Sequence, residues 1–141
     1  VPNETNRTQS LVQALGRILM CALFVMGGYN KAIDPTVTAA MMARVGTPLP
    51  YLVAILAIVI ELGGGVLLLI GLLTRPVGVA LGLWCIATAL VAHTHWADRN
   101  MEIHFWKNVA IAGGFAYVVA FGAGALSLDA IRSRRRLAVR T

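Results

Sequence analysis

Six side chains in this sequence have the types and spacing to form a polar site: Glu61, Lys31, His93, His104, Lys107 and Asn108. Glu61 is the only ionisable group between Pro50 and Thr74, and everything around it is apolar. A carboxylate in such a run is costly unless it is protonated, paired or wetted, so it must turn toward other helices or a cavity. His104, Lys107 and Asn108 follow i,i+3 and i,i+4 spacing and share one helix face. Counting about 1.5 Å of rise per residue puts Lys31 and Lys107 at one membrane boundary, His93 about a turn deeper and Glu61 roughly 10 Å below the lysines. Such a pocket would suit a quinone headgroup, whose two carbonyl oxygens want donors and whose redox chemistry needs a group that exchanges protons. A lipid headgroup is the other ligand it would take, with no covalently bound cofactor. A hydrogen-bonded network that only holds helices in register uses the same residues equally well, and the sequence leaves both readings open.

Two further constellations bear on chemistry. His93 and His95, with Glu102 and His104, resemble a metal set, but residues i and i+2 point nearly opposite ways on a helix. No metal site is expected, and a haem held between His93 and His104 has no supporting motif. Arg17, early in the first apolar segment, and Asp129, at the end of the last, fall at similar depth, where a structural ion pair is expected. Cys21 and Cys85 sit singly in different apolar segments and read as packing residues.

The elements that position these groups are membrane helices. Hydrophobic residues make up 58% of the chain and charged residues 13%, about half the charged share of a soluble domain. In 141 residues there is room for one bundle. Four crossings are expected, over about 10–32, 50–74, 77–96 and 104–129, with the 132–141 segment a basic tail and 1–9 a polar one. The polar start does not have the form of a cleaved signal, so the first segment is expected to stay in the membrane. Asp34 and Pro35 open a short helix, 35–45, expected to lie at the membrane surface. The fold class is thus an all-α membrane protein: a four-transmembrane-helix bundle with an interfacial helix between the first and second crossings. Arg75 and Pro76 leave almost no loop between crossings two and three, which must be antiparallel neighbours.

Charge distribution gives the orientation. With both termini on one side, that side receives Arg7, Arg17, Arg75, Arg132, Arg134, Arg135, Arg136 and Arg140, and the other receives Lys31, Arg44, Arg99 and Lys107. The richer side is expected to be cytoplasmic, with Tyr51, Trp96 and Trp106 at the outer interface. The net charge of +6 comes largely from the basic tail, where anionic lipid is the expected partner and nucleic acid is not.

Several short motifs, in order, resemble the DoxX family: F-x-x-G-G-x-x-K from Phe24 to Lys31, G-x-P-x-P from Gly46 to Pro50, E-L-G-G-G from Glu61 to Gly65, G-L-L-T-R from Gly71 to Arg75, the Lys107-Asn108 pair, and G-x-G-x-x-S-L-D from Gly122 to Asp129. Arg17 belongs to the same set, and the resemblance covers about residues 10–129. It implies a small four-helix protein of the bacterial inner membrane, tied to membrane oxidoreductase assemblies. The expected role is an integral subunit that anchors a larger redox or respiratory complex and lines a quinone or lipid site. The alternative is an assembly module that packs on partner helices without chemistry of its own. Lacking a cysteine pair or a dedicated cofactor motif, the chain reads as an auxiliary subunit rather than a stand-alone enzyme.

Overall fold

The computed structural model describes residues 4–139; Arg140, counted above among the basic residues, lies outside them. Those residues form helices α1 (Glu4–Ile33), α2 (Pro35–Arg44), α3 (Pro50–Ile58), α4 (Gly64–Ile70), α5 (Thr74–Ala92), α6 (Arg99–Phe121) and α7 (Leu128–Ala138), with a π turn (Val59–Gly63) joining α3 to α4. Three stretches are long and apolar enough to cross a membrane: Arg7–Ile33, Pro50–Ile70 and Thr74–Ala92.

Local chemistry sets the boundaries. The Asp34 carboxylate accepts from the Thr36 amide at 3.0 Å and Pro35 occupies the first turn, so α2 starts where the sequence indicates. The second apolar stretch stops at Gly71, in the left-handed region at φ +68, three residues short of its expected end. Thr74, Arg75 and Pro76 are therefore not the connection but the first turn of α5, where a proline costs no hydrogen bond. Past α5 the chain turns through 93–98, and Asp98 accepts from the Asn100 amide at 2.8 Å, starting α6 five residues before the expected position. Gly122, at φ +75, ends α6 at Phe121. What reads in sequence as the close of one crossing plus a tail is instead a separate helix, α7, capped by Ser127, whose hydroxyl accepts from the Ala130 amide at 3.2 Å.

Packing follows from small residues. Ala54, Ala57, Glu61, Gly65 and Leu68 are buried at steps of three or four, making one stripe that faces α1. At Gly28 a Cβ would lie 2.5 Å from the Leu62 backbone nitrogen, and at Gly65 one would lie 2.9 Å from Val25. The glycines of both motifs thus let two backbones touch where any side chain would hold them apart. On the other flank Gly78 and Gly82 of α5 receive Val118, Val119 and Phe115 of antiparallel α6, the most extensive helix pair in the molecule. Cys21, Phe24, Leu68, Leu81, Cys85 and Phe115 close the core, while Leu19, Leu23, Leu52, Leu56 and Leu83 point outward, as a bilayer solvent permits.

Two glycines separate packing from propensity. Gly28→Val is expected to destabilise by about 1–3 kcal/mol, because the atoms it meets are backbone. Gly113→Ala, where a Cβ meets nothing within 4 Å, is expected to be neutral or stabilising by up to about 1 kcal/mol. Thermal unfolding of both variants in mild detergent checks the contrast.

Candidate functional site

The π turn presents Glu61 to the space between α1 and α5. Wide turns of this kind recur at functional positions, and the glycines after Glu61 offer no side chain to resist it. Both carboxylate oxygens are engaged. Lys31 Nζ donates to Oε2 at 2.7 Å, and Trp84 Nε1 donates to Oε1 at 3.0 Å. Gly27 leaves room beside them, since a Cβ there would crowd Oε2 at 3.1 Å. This is the one ion pair within 4 Å among the described residues.

Above the pair lies an open cavity of about 520 Å³ between α1, α2, α5 and α6. Lys31, Glu61, His93, Lys107 and Asn108 line it, so five of the six residues singled out from sequence come together. His104 does not reach the cavity. Its ring stacks on His93 at 5.2 Å between centroids, and its Nδ1 lies 2.8 Å from Lys107 Nζ, so it braces two lining residues from behind. That spacing leaves no room for a macrocycle between the imidazoles. Burial, and then the neighbouring His104 and Lys107, depress the His93 pKa below its ordinary value.

Sequence reasoning missed several lining residues. Trp84 is the most consequential, with Asn30, Asp34 and Thr88 beside it. A signal existed, because an indole N–H deep in an apolar segment needs an acceptor, and Glu61 was the one carboxylate at hand. On α2, Val37, Thr38, Met41 and Met42 form the remaining apolar wall.

The expected Arg17–Asp129 ion pair does not form. Arg17 is buried, and its guanidinium donates to the carbonyls of Leu68 at 3.1 Å, Leu69 at 3.3 Å and Leu126 at 2.5 Å. Asp129 instead accepts from the amides of Leu73 and Thr74, both at 2.9 Å, and so caps α5. Backbone groups at helix ends compete for both charges: α4 leaves carbonyls exposed where Arg17 arrives, and α5 leaves amides exposed where Asp129 arrives. Each charge helps fix the α4–α5 corner without touching the other.

A family model described as DoxX matches residues 12–94, and that stretch contains Glu61, Lys31, Trp84 and the glycines that seat them. The chain belongs to the DoxX family. Among curated proteins it is 37% identical over 121 residues to Inner membrane protein YphA of Escherichia coli (strain K12), covering 82% of this chain and 86% of that one. It is 33% identical over 124 residues to Inner membrane protein YqjF of the same organism, covering 86% and 92%. No solved structure gives a significant match. In DoxX terms the glycine motifs are the packing surfaces that bring Lys31 onto Glu61.

Two measurements test these assignments. Lys31→Met, which strands the buried carboxylate, is expected to cost about 3 kcal/mol, and Lys31→Met with Glu61→Leu distinctly less, in a double-mutant cycle of unfolding. Partial burial raises the Asp129 pKa, but the Thr74 and Leu73 amides outweigh it and hold the folded value below the ordinary 3.8. The cap therefore contributes fully above that ordinary value and is lost as pH falls through the folded one, a limb of the pH–stability curve that Asp129→Asn should remove.

Proposed function

We propose that this DoxX protein is a four-crossing subunit of the bacterial inner membrane whose outer-side cavity binds a quinone headgroup for an associated oxidoreductase complex. Its two relatives carry the words "inner membrane" in their names, which supports the location. Helix α6 is the fourth crossing. At 23 residues it has the length, and it runs along α5 throughout. Its low hydropathy comes from groups such as Lys107 and Asn108, which line the cavity rather than meet lipid. Helix α2 lies at the outer interface, and both termini are cytoplasmic, the arginine-rich side.

The observation that carries the reading is a cavity that is apolar on the α2 wall and supplied with donors on the others, with a buried carboxylate at its floor. Lys31, Lys107, Asn30 and Asn108 can donate to the two carbonyl oxygens, and the Lys31 ammonium, held by the Glu61 carboxylate, can give its proton to the reduced headgroup and take one back from water in the open cavity. Electrons come from the partner subunit, so the chain binds, orients and protonates. Lipid tails of the quinone leave over Met41 and Met42, soft side chains that adapt to an alkyl guest.

A second reading has its own observation. Both oxygens of Glu61 are already satisfied within the protein, the arrangement a purely structural latch would have. The two separate in one experiment. If the site handles quinone, Glu61→Gln lowers quinone-dependent turnover of the co-purified complex by about a hundredfold, with insertion and assembly unchanged. Wild-type turnover in that variant would reduce the cavity to a latch.

A further inference from the structure

On the opposite end of the bundle, α1 and α6 leave a second open groove of about 500 Å³. It owes nothing to the quinone site. The two helices meet there through long side chains, with Met20 reaching toward Gly114 and Phe24 packing on Phe115 at 5.4 Å, instead of backbone on backbone as where Gly28 of α1 meets Leu62. Gly16 opens the floor, since a Cβ at that position meets nothing within 4 Å. Met20, Tyr117 and Phe121 supply apolar walls, and Tyr117 stacks on Phe121 at 6.1 Å.

The charged end of the groove is unusual. Arg17 lines it and is 5% exposed, yet its Nε, a buried donor, has no partner among the described residues. Its other nitrogens are spent on Leu68, Leu69 and Leu126. Gln13 sits beside it, and Arg75 lies against Gly122 at the same end, exposed and held by the Ala120 carbonyl at 3.3 Å. Among the described residues, no carboxylate lines the groove. A buried guanidinium with a free donor calls for an acceptor, and a cleft that is cationic at the membrane boundary and apolar toward its middle fits an amphiphile of matching polarity.

We propose that the α1–α6 groove is a specific seat for an anionic diacyl phospholipid, with one acyl chain lying over Gly16 between Met20, Tyr117 and Phe121. Its glycerol ester or phosphate oxygens accept from Arg17 and Arg75. A second copy of the chain is the weaker occupant, because its apolar helices would bring no acceptor to Arg17 or Arg75.

The test uses the full chain in nanodiscs of phosphatidylcholine doped with phosphatidylglycerol that carries a photoreactive diazirine in one acyl chain. Labelling is expected to concentrate on α1 and α6 around Met20 and Tyr117, above the level on other lipid-facing helices. Gly16→Phe puts a ring over the floor from a Cβ that meets nothing within 4 Å, and is expected to cut that labelling at least about fivefold with thermal stability unchanged; Gly16→Leu serves if the larger variant does not accumulate. Arg75→Gln is expected to erase the preference over a zwitterionic probe of the same chain. Excess inorganic phosphate is expected to leave labelling unchanged, since the seat reads the chain and headgroup together; displacement by phosphate would show a free-anion site and overturn the proposal. Uniform labelling of all helices, indifference to Gly16 substitution, or crosslinks between copies through this face would overturn it as well. None of these outcomes depends on quinone turnover.

Discussion

A carboxylate placed in the apolar interior of a membrane protein must find partners inside the protein, and in this chain that requirement organises the packing. Glu61 accepts from Lys31 on one oxygen and Trp84 on the other, so three separate segments are tied to one side chain. The glycines on either side follow from it. Gly27 makes room for the carboxylate itself, Gly28 lets α1 approach the Leu62 backbone, and Gly65 accepts Val25. Because the acid is held by donors on α1 and α5, the space between those helices stays open above it, and the cavity is a consequence of the latch.

The other end of the bundle solves a different problem with the same kind of chemistry. Helices α4 and α5 turn within three residues, Gly71 and Leu73 both left-handed, which leaves backbone groups unpaired in an apolar surrounding. Arg17 supplies donors to the carbonyl side and Asp129 supplies acceptors to the amide side. The Asp129 amide adds a further bond to the Gly71 carbonyl at 2.9 Å, so the chain's last helix is fastened to its central corner. A Cβ at Gly71 would collide with Arg17 and Ser127, which is why that corner carries glycine. The polar residues of this family member thus fall into two groups, one closing each end of an otherwise greasy bundle.

The two ends differ in how fully their polar groups are committed to partners within the protein. The group around Glu61 surrounds a cavity and contains a carboxylate, lysines and an imidazole, side chains of the kind that bind a polar headgroup. At the other end the charges are mostly committed to backbone, and Arg17, which lines a groove there, keeps its buried Nε without a partner among the described residues.

Much of this was legible in the residues. Apolar runs of membrane length, the lone acid and the polar face of Lys107 and Asn108 come from composition and spacing, and the structure gathers five of the six residues so chosen around one cavity. Tertiary structure alone decided which partner each charge takes. Arg17 and Asp129 lie at matching depth along their helices, yet depth says nothing about the helix-end carbonyls and amides that reach them first. Nor could spacing along one chain show that Trp84, on a different helix, completes the shell of Glu61, or that His104 falls behind His93 and not beside it. Periodicity fixes the face a side chain occupies on its own helix, whereas its partner depends on how neighbouring helices rotate and cross, and that is settled only when the backbones meet.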